Sequence, residues 1–122
     1  MNFRRPRIKN EGHLAFIRQL PCVCCGNNIE TEAAHIRMSA PWYGKRSTGG
    51  QEKPSDYWTI PLCGRHHREQ HAMNEREFWK SQGIDPIIVA MALFVSSGDF
   101  VSCEEIIRHR GNCDYAEPSF SA

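Results

Sequence analysis

Residues 57–71 read YWTIPLCGRHHREQH, and this stretch decides the predicted fold. Residues 57–62 have the aromatic and β-branched composition of a strand, and helix signals follow from Gly64 to about Ala72. Upstream, residues 29–36 indicate another strand, and a polar loop over residues 37–56 connects it to the strand at 57–62. The centre of the chain is therefore predicted as strand, loop, strand and helix.

Further helices are expected on both sides of this centre. Residues 12–20 carry apolar side chains at helical spacing, and Pro21 ends the pattern. Downstream, Asn74 and Glu77 form a capping box that starts one helix, and Gly83 fits its end. Asp85 and Pro86 are expected to start a second helix, which runs through Phe94. Ser102 and Glu105 form a capping box for a third. The sequence thus predicts an α+β fold.

Six cysteines and six histidines are many for 122 residues. Zinc takes four sulfur or nitrogen ligands in a tetrahedron, and two residues separated by two others on a tight turn can share one ion. Two such pairs predict a structural zinc site, with Cys22, Cys25, Cys63 and His66 as ligands. The metal would compensate for the small apolar core of a short chain.

Other interpretations of the cysteines stay open. The run CVCC at residues 22–25 allows Cys24 to replace Cys25, although its side chain should point the other way. Buried free thiols are an alternative, above all for Cys103 and Cys113. Thiol redox chemistry is a third, weaker hypothesis, because the same cysteines fit zinc better.

A set of histidines suggests a further metal centre. His67 and His71 are four residues apart, so on a helix they share one face and can hold one ion. His66 lies about 100° around that helix from His67, so the two can serve different ions. His35 comes from the preceding strand. The alternative for His67 and His71 is a solvated polar face.

The charge of the chain is uneven although its net value is only +1. Residues 1–18 carry +4 and residues 99–122 carry −3. The basic arm at residues 1–11 would suit a polyanion or is simply a solvated terminus. No apolar run approaches the roughly 18 residues of a membrane span, and no secretory leader opens the chain, so we expect a cytoplasmic protein with no membrane partner.

Residues 22–71 resemble the HNH, or His-Me finger, endonucleases, most of all small phage and prophage members with a zinc knuckle. The stretch covers about 50 of the 122 residues, and the matching pieces in it are CVCCG at 22–26, AHIR at 34–37, the polar loop ending in KPSD at 53–56, and YWTIPLCGRHHREQH at 57–71. The resemblance implies one domain over residues 1–122 with a zinc-stabilised ββα-metal core at about 20–75. The basic arm precedes this core, flanking helices adjoin it, and a helical extension occupies residues 76–122.

The resemblance also implies roles for individual residues. His35 would be the general base, His67 the closing histidine of the motif, and His71 a ligand of the catalytic ion. Two features depart from the family pattern: Ala34 stands where many relatives carry Asp or His, and the second strand has no matching Asn. The nearest polar residue is Asp56, for which we expect a metal-binding or base-orienting role, with a turn cap as the alternative.

The resulting hypothesis is a metal-dependent endonuclease that hydrolyses DNA with little sequence specificity, with RNA as an alternative substrate. The catalytic cation would be Mg²⁺ or Mn²⁺, with Ni²⁺ or Zn²⁺ as alternatives. The resemblance implies a phage or prophage origin in a bacterial host. The protein is expected to form a homodimer or to act with a recombination or replication partner. Substrate contacts are expected from Arg37, Lys45, Arg46, Lys53, Arg65 and Arg68. Trp42 and Tyr43 would stack on bases or pack onto the core.

A second hypothesis keeps the scaffold without the chemistry. Ala34 and the missing Asn would then mark a catalytically inactive, zinc-stabilised module that binds nucleic acid.

Overall fold

The computed structural model describes residues 7–46 and 53–110. Parts of the predicted basic arm, polar loop and C-terminal extension, including Cys113, lie outside these ranges. In chain order the elements are α1 (Glu11–Ile17), β1 (Glu32–His35), a 3₁₀ turn (Pro41–Tyr43), β2 (Thr59–Leu62), α2 (Gly64–Ala72), α3 (Glu75–Gln82), α4 (Pro86–Val95) and α5 (Phe100–Arg108). The α+β prediction is confirmed.

The two strands form an antiparallel pair, followed directly by α2. Glu32 lies opposite Leu62, and His35 lies opposite Thr59. β1 is shorter than the predicted strand at 29–36, because Ile29 is 72% exposed and Glu30 has a left-handed φ of 55° that bends the chain before the ladder. β2 starts after the predicted residue 57, since a turn occupies the chain before Thr59.

One apolar core joins the helices to the sheet. Its fully or almost fully buried members come from both strands and from four of the helices, and include Ile17 of α1, Ile60 of β2, Trp79 of α3, Leu93 of α4 and Ile107 of α5. Burial of side chains of this size stabilises the fold by about 1.5–3 kcal/mol each before entropy is counted. The small sheet is therefore held by the helices that cover it.

Most of the predicted helix starts are confirmed. The Asn74 side chain accepts a hydrogen bond from the backbone N–H of Glu77, and Asp85 accepts from Ile87 in the same way. The predicted start of α5 at Ser102 is wrong. Asp99 is the N-cap, and its carboxylate accepts from the backbone N–H of Ser102 at 3.1 Å, which places Ser102 inside the first turn.

Among the helices of residues 7–46 and 53–110, none is by itself long and apolar enough to cross a membrane. α3 and α4 pass the length and composition test only as a pair, and they are bent by 80° relative to each other.

Candidate functional site

Three cysteines and one histidine converge where α1, the sheet and α2 meet. The ligand atoms of Cys22, Cys25, Cys63 and His66 all lie within 4.8 Å of one another. Cys22 and Cys25 lie in the turn after α1, Cys63 directly follows β2, and His66 is in the first turn of α2. The structure thus brings together the four predicted ligands, and Cys24 is outside the group.

The donor spacing fits one tetrahedral zinc ion. Zn–S bonds of about 2.3 Å and Zn–N bonds of about 2.0–2.1 Å place donors about 3.5–3.8 Å apart. The Sγ atoms of Cys25 and Cys63 are 3.9 Å apart, and Nδ1 of His66 lies 3.7 Å from Sγ of Cys22 and 3.3 Å from Sγ of Cys63. The four residues could therefore hold a structural metal ion such as zinc.

The backbone of the cysteine turn supports this arrangement. Gly26 has φ of 77°, a left-handed conformation that side chains disfavour, and its N–H donates to the carbonyl of Cys22 at 2.8 Å. The Cys22 N–H donates to the carbonyl of Asn27 at 2.8 Å. These bonds fold the two ligands of the turn toward the same point.

Neighbouring thiols shift the acidity of the cysteine group. A hydrogen bond from Cys24 is the main cause that lowers the pKa of Cys22 to about 4, and burial raises the pKa of Cys25. The same Cys24–Cys22 contact raises the pKa of Cys24 far above its ordinary value. Cys22 is thus the thiolate of this pair, and Cys24 is a donor beside it.

His35 and Asp56 form a second arrangement at the end of the sheet. Nε2 of His35 lies 2.9 Å from Oδ1 of Asp56. The hairpin register causes this contact, because His35 pairs with Thr59 and a turn folds the preceding residues back. The hydroxyl of Thr59 donates to the Asp56 carbonyl at 2.8 Å and fixes that turn.

Asp56 is only 1% exposed, and protein donors occupy both of its oxygens. Oδ1 also accepts from Nη2 of Arg7 at 3.0 Å, and Oδ2 accepts from the backbone N–H of Asn10 at 2.7 Å. Burial acts to raise the pKa of Asp56, but the hydrogen bonds from Asn10 and His35 and the charge of Arg7 outweigh it and lower that pKa. Asp56 thus contacts His35 through Oδ1, and each of its oxygens already accepts a hydrogen bond from the protein. Among the described residues, Asp56 belongs to no group of three or more candidate metal ligands.

The environment keeps His35 neutral. Burial lowers the pKa of His35 below its ordinary value, and the charges of Arg7 and Lys53 act in the same direction, against the contribution of Asp56. Because an ionised carboxylate only accepts, Nε2 of His35 carries the hydrogen and Nδ1 keeps its lone pair. Within the described parts of the chain, no hydrogen bond engages that Nδ1 atom.

His67 and His71 meet on the exposed side of α2, as their spacing predicts. Their Nε2 atoms are 3.2 Å apart. Nδ1 of His67 lies 2.5 Å from Oε1 of Glu32, the first residue of β1. Contacts therefore run from the Glu32 carboxylate to His67, and from His67 to His71.

The Cys₃His group is separate from the arrangements formed by His35, Asp56, His67 and His71. Among the described residues, the Cys₃His group is the only one with three or more ligand atoms within 4.8 Å of one another. His35, Asp56, His67 and His71 do not form such a group. They are linked through α2, since Nε2 of Gln70 donates to the carbonyl of His35 at 3.2 Å.

The predicted nucleic-acid contacts divide by exposure. Four of them are exposed, namely Arg37, Lys53, Arg65 and Arg68, and Arg46 is half-buried. The prediction for Lys45 is wrong. Its side chain is 1% exposed because the backbone pairing of Ala40 with Lys45 folds the loop over it, so it cannot reach a phosphate in this conformation. Trp42 and Tyr43 pack against the core.

Sequence reasoning missed several residues that shape the site. Arg7 and Asn10 fix Asp56, Gln70 ties α2 to His35, and Glu32 contacts His67. Glu75 is a further one, since its carboxylate accepts from the backbone N–H groups of Arg37 and Met38 and from Gln70 and Trp79. Only Glu32 had a signal in the sequence, as a carboxylate three residues before His35 on the same strand.

Comparison with known proteins yields one match. Residues 2–97 match the profile of a family described as "Protein of unknown function (DUF968)". No curated protein and no solved structure is detectably similar to the chain.

Proposed function

We propose a function for this chain, which belongs to the DUF968 family of proteins of unknown function: it is a metal-dependent endonuclease that hydrolyses DNA with little sequence preference. The observation that carries the proposal is the His35–Asp56 contact, a neutral imidazole oriented by a buried carboxylate. The resemblance of residues 22–71 to HNH nucleases supplies the reaction type.

The proposed reaction begins with a water molecule at Nδ1 of His35. The lone pair of Nδ1 takes a proton from the water, whose oxygen attacks the phosphorus of the phosphodiester as the bond from phosphorus to the leaving 3′ oxygen breaks. The leaving oxygen then takes a proton from solvent. Asp56 keeps the hydrogen of the imidazole on Nε2 and stabilises the imidazolium that forms. Burial of His35 keeps the ring neutral at pH 7, so it is ready to accept the proton.

His67 and His71 would hold the divalent cation. When bound, such an ion stabilises the charge on the phosphate and on the leaving oxygen. The exposed Arg37, Lys53 and Arg68 would contact the backbone of the nucleic acid. The Cys₃His group is proposed to hold zinc for structural reasons, because it draws the cysteine turn, the end of β2 and the start of α2 together.

The test is plasmid nicking by the purified, zinc-loaded protein across a series of divalent ions. We expect His35→Ala to lower the nicking rate by about 10²–10⁴-fold, the contribution typical of a general base. His109→Ala, at the exposed C-cap of α5, is the control and should cleave like the wild type. Equal rates for His35→Ala and wild type would contradict the assigned base.

Asp56→Asn tests the orienting role separately. An amide has one accepting oxygen, so it cannot accept from Asn10 at one end and from His35 and Arg7 at the other. We expect a lower kcat with little change in KM, together with a displaced pH profile of kcat. A change in KM alone would assign Asp56 to substrate binding instead.

A catalytically inactive module that binds nucleic acid is the second candidate. The observation that favours it is that Asp56 belongs to no group of three or more candidate metal ligands among the described residues, which leaves the cation without that predicted carboxylate ligand. DNA binding by a protein that shows no His35-dependent cleavage with any divalent ion would favour this candidate.

A further inference from the structure

The contact between Glu32 and His67 determines where the hydrogens of two imidazoles lie. Oε1 of Glu32 is 2.5 Å from Nδ1 of His67. An ionised carboxylate is only an acceptor, so Nδ1 of His67 must carry the hydrogen. A neutral His67 then has its lone pair on Nε2, and the hydrogen between the two Nε2 atoms belongs to His71.

The spacing of the two Nε2 atoms fits a shared cation. They are 3.2 Å apart, and an ion about 2.1 Å from each nitrogen would subtend an angle of about 100°, between the octahedral and tetrahedral values. For both lone pairs to face the ion, His71 has to move its hydrogen from Nε2 to Nδ1, and both rings have to turn by about 40° from the line that joins the two nitrogens.

We propose that Glu32 is the positioning carboxylate of the cation site at His67 and His71, and that it directs the Nε2 lone pair of His67 toward a divalent transition-metal ion. A carboxylate on the far nitrogen of a metal-binding histidine fixes its tautomer and strengthens it as a ligand. Two imidazoles favour ions such as Ni²⁺, Co²⁺ or Zn²⁺ over Mg²⁺, which prefers oxygen. The proposal rests on the proposed nuclease function only for what the ion does in cleavage.

Glu32 supplies a carboxylate beside His67, which neither Ala34 nor Asp56 supplies. Ala34 is fully buried in the core and carries no ligand atom, and both oxygens of Asp56 are occupied by protein donors. Glu32 is the first residue of β1 and its side chain is 52% exposed, so it can support His67 at the surface without desolvating its charge. The strand therefore offers its carboxylate three residues before His35.

The test measures metal binding rather than cleavage. Calorimetric titration of the zinc-loaded protein with Ni²⁺ should reveal one added site, and titration with Mg²⁺ should show much weaker binding. We expect Glu32→Gln to weaken Ni²⁺ binding by about 10–100-fold, as for other carboxylates behind metal-binding histidines. Glu69→Gln is the matched control, because its side chain is 45% exposed on α2 and pairs with Arg65.

A second readout needs no added metal. Nitrogen NMR of the imidazoles should show His67 with its hydrogen on Nδ1 in the wild type and in Glu69→Gln. Glu32→Gln should lose this preference, because its amide can also donate. Unchanged zinc content and circular dichroism would show that the variants are folded.

Several outcomes would overturn the proposal: no Ni²⁺ site beyond the zinc, tighter Mg²⁺ than Ni²⁺ binding, equal affinities in the two glutamine variants, or a wild-type His67 with its hydrogen on Nε2. Absence of DNA cleavage is a separate result. Metal binding as expected, without any cleavage, would support this site and contradict the nuclease function. His35-dependent cleavage without a Ni²⁺ site would support the nuclease function and contradict this site.

Discussion

Lys45 shows that the surroundings of a residue, not its type, decide its role. Its Nζ atom is buried and makes no hydrogen bond to residues 7–46 or 53–110. Burial is the main cause that lowers its pKa from 10.5 to about 8, and the charge of Glu75 acts in the opposite direction. A buried polar group without a partner costs about 1–3 kcal/mol. Lys45 therefore weakens the folded state that its aliphatic stem helps to pack.

Replacement of this ammonium should stabilise the protein. We expect Lys45→Met to raise the free energy of unfolding by about 1–3 kcal/mol at pH 7, since methionine keeps the stem and removes the charge. The folded state binds fewer protons than the unfolded state between the pKa values of about 8 and 10.5, so wild-type stability should rise with pH in that window. The variant should lack this rise.

Chemical denaturation at pH 7 and at several pH values up to 10.5 measures both effects. Lys53→Met, at an exposed position, is the control and should be close to neutral. A destabilised Lys45→Met protein would mean that the ammonium has a favourable partner.

At the level of the elements, the Cys₃His group joins three pieces of chain, namely the cysteine turn, the end of β2 and the start of α2. The cysteine turn reaches the sheet through the N–H of Val23, which donates to the carbonyl of Pro61 at 3.0 Å. The C-terminal end of α5 also reaches this turn, because the Arg110 guanidinium donates to the carbonyls of Val23 and Cys24. A metal ion there would hold the turn, β2, α2 and α5 in one arrangement.

Metal removal should therefore loosen these elements together. We expect a strong chelator, or Cys63→Ser, to lower the thermal midpoint sharply and to broaden the transition, because the binding energy of a structural zinc is part of the folding energy. Bound zinc is measured by elemental analysis and unfolding by circular dichroism. Cys103→Ser is the matched control, since Cys103 is buried but outside the group. Equal zinc content and midpoints in the two variants would contradict a structural metal site at Cys63.

In the molecule as a whole, His13 connects α1 with the end of α4. Its Nδ1 is 2.7 Å from the hydroxyl of Ser97, which follows α4, and its ring forms a T-shaped pair with Phe94. Its Nε2 is buried and has no hydrogen-bond partner among the described residues. Burial lowers the pKa of His13 despite the opposing charge of Asp56, so protonation opposes folding.

This burial makes the fold sensitive to acid. Between the lowered folded pKa of His13 and its unfolded value of 6.5, the unfolded state binds more protons, so stability should fall as the pH drops through and below 6.5. We expect His13→Gln to lose less stability than the wild type between pH 7 and pH 5. Denaturation midpoints at fixed zinc content measure this, with the exposed His109→Gln as the control. Parallel pH curves for wild type and His13→Gln would refute the assignment.

Local signals made much of the fold predictable. The start of α4 follows from Asp85 and Pro86, and the end of α3 from Gly83, because capping depends on a few adjacent residues. The spacing of the two ligand pairs likewise predicted the Cys₃His group. The cap of α5 was misplaced because Asp99 and Ser102 both carry capping side chains, and the choice between them depends on how α5 packs against α4.

Short-range periodicity and spacing in the sequence were enough to predict the α+β order, the members of the Cys₃His group and the pairing of His67 with His71. The contacts of Asp56 with His35 and of Glu32 with His67, and the burial of Lys45, depend on the tertiary arrangement. These contacts join residues 21 to 49 positions apart or depend on the path of a loop. They follow from strand register and from the arm of residues 7–10 closing over the turn at 54–56, which no local pattern specifies.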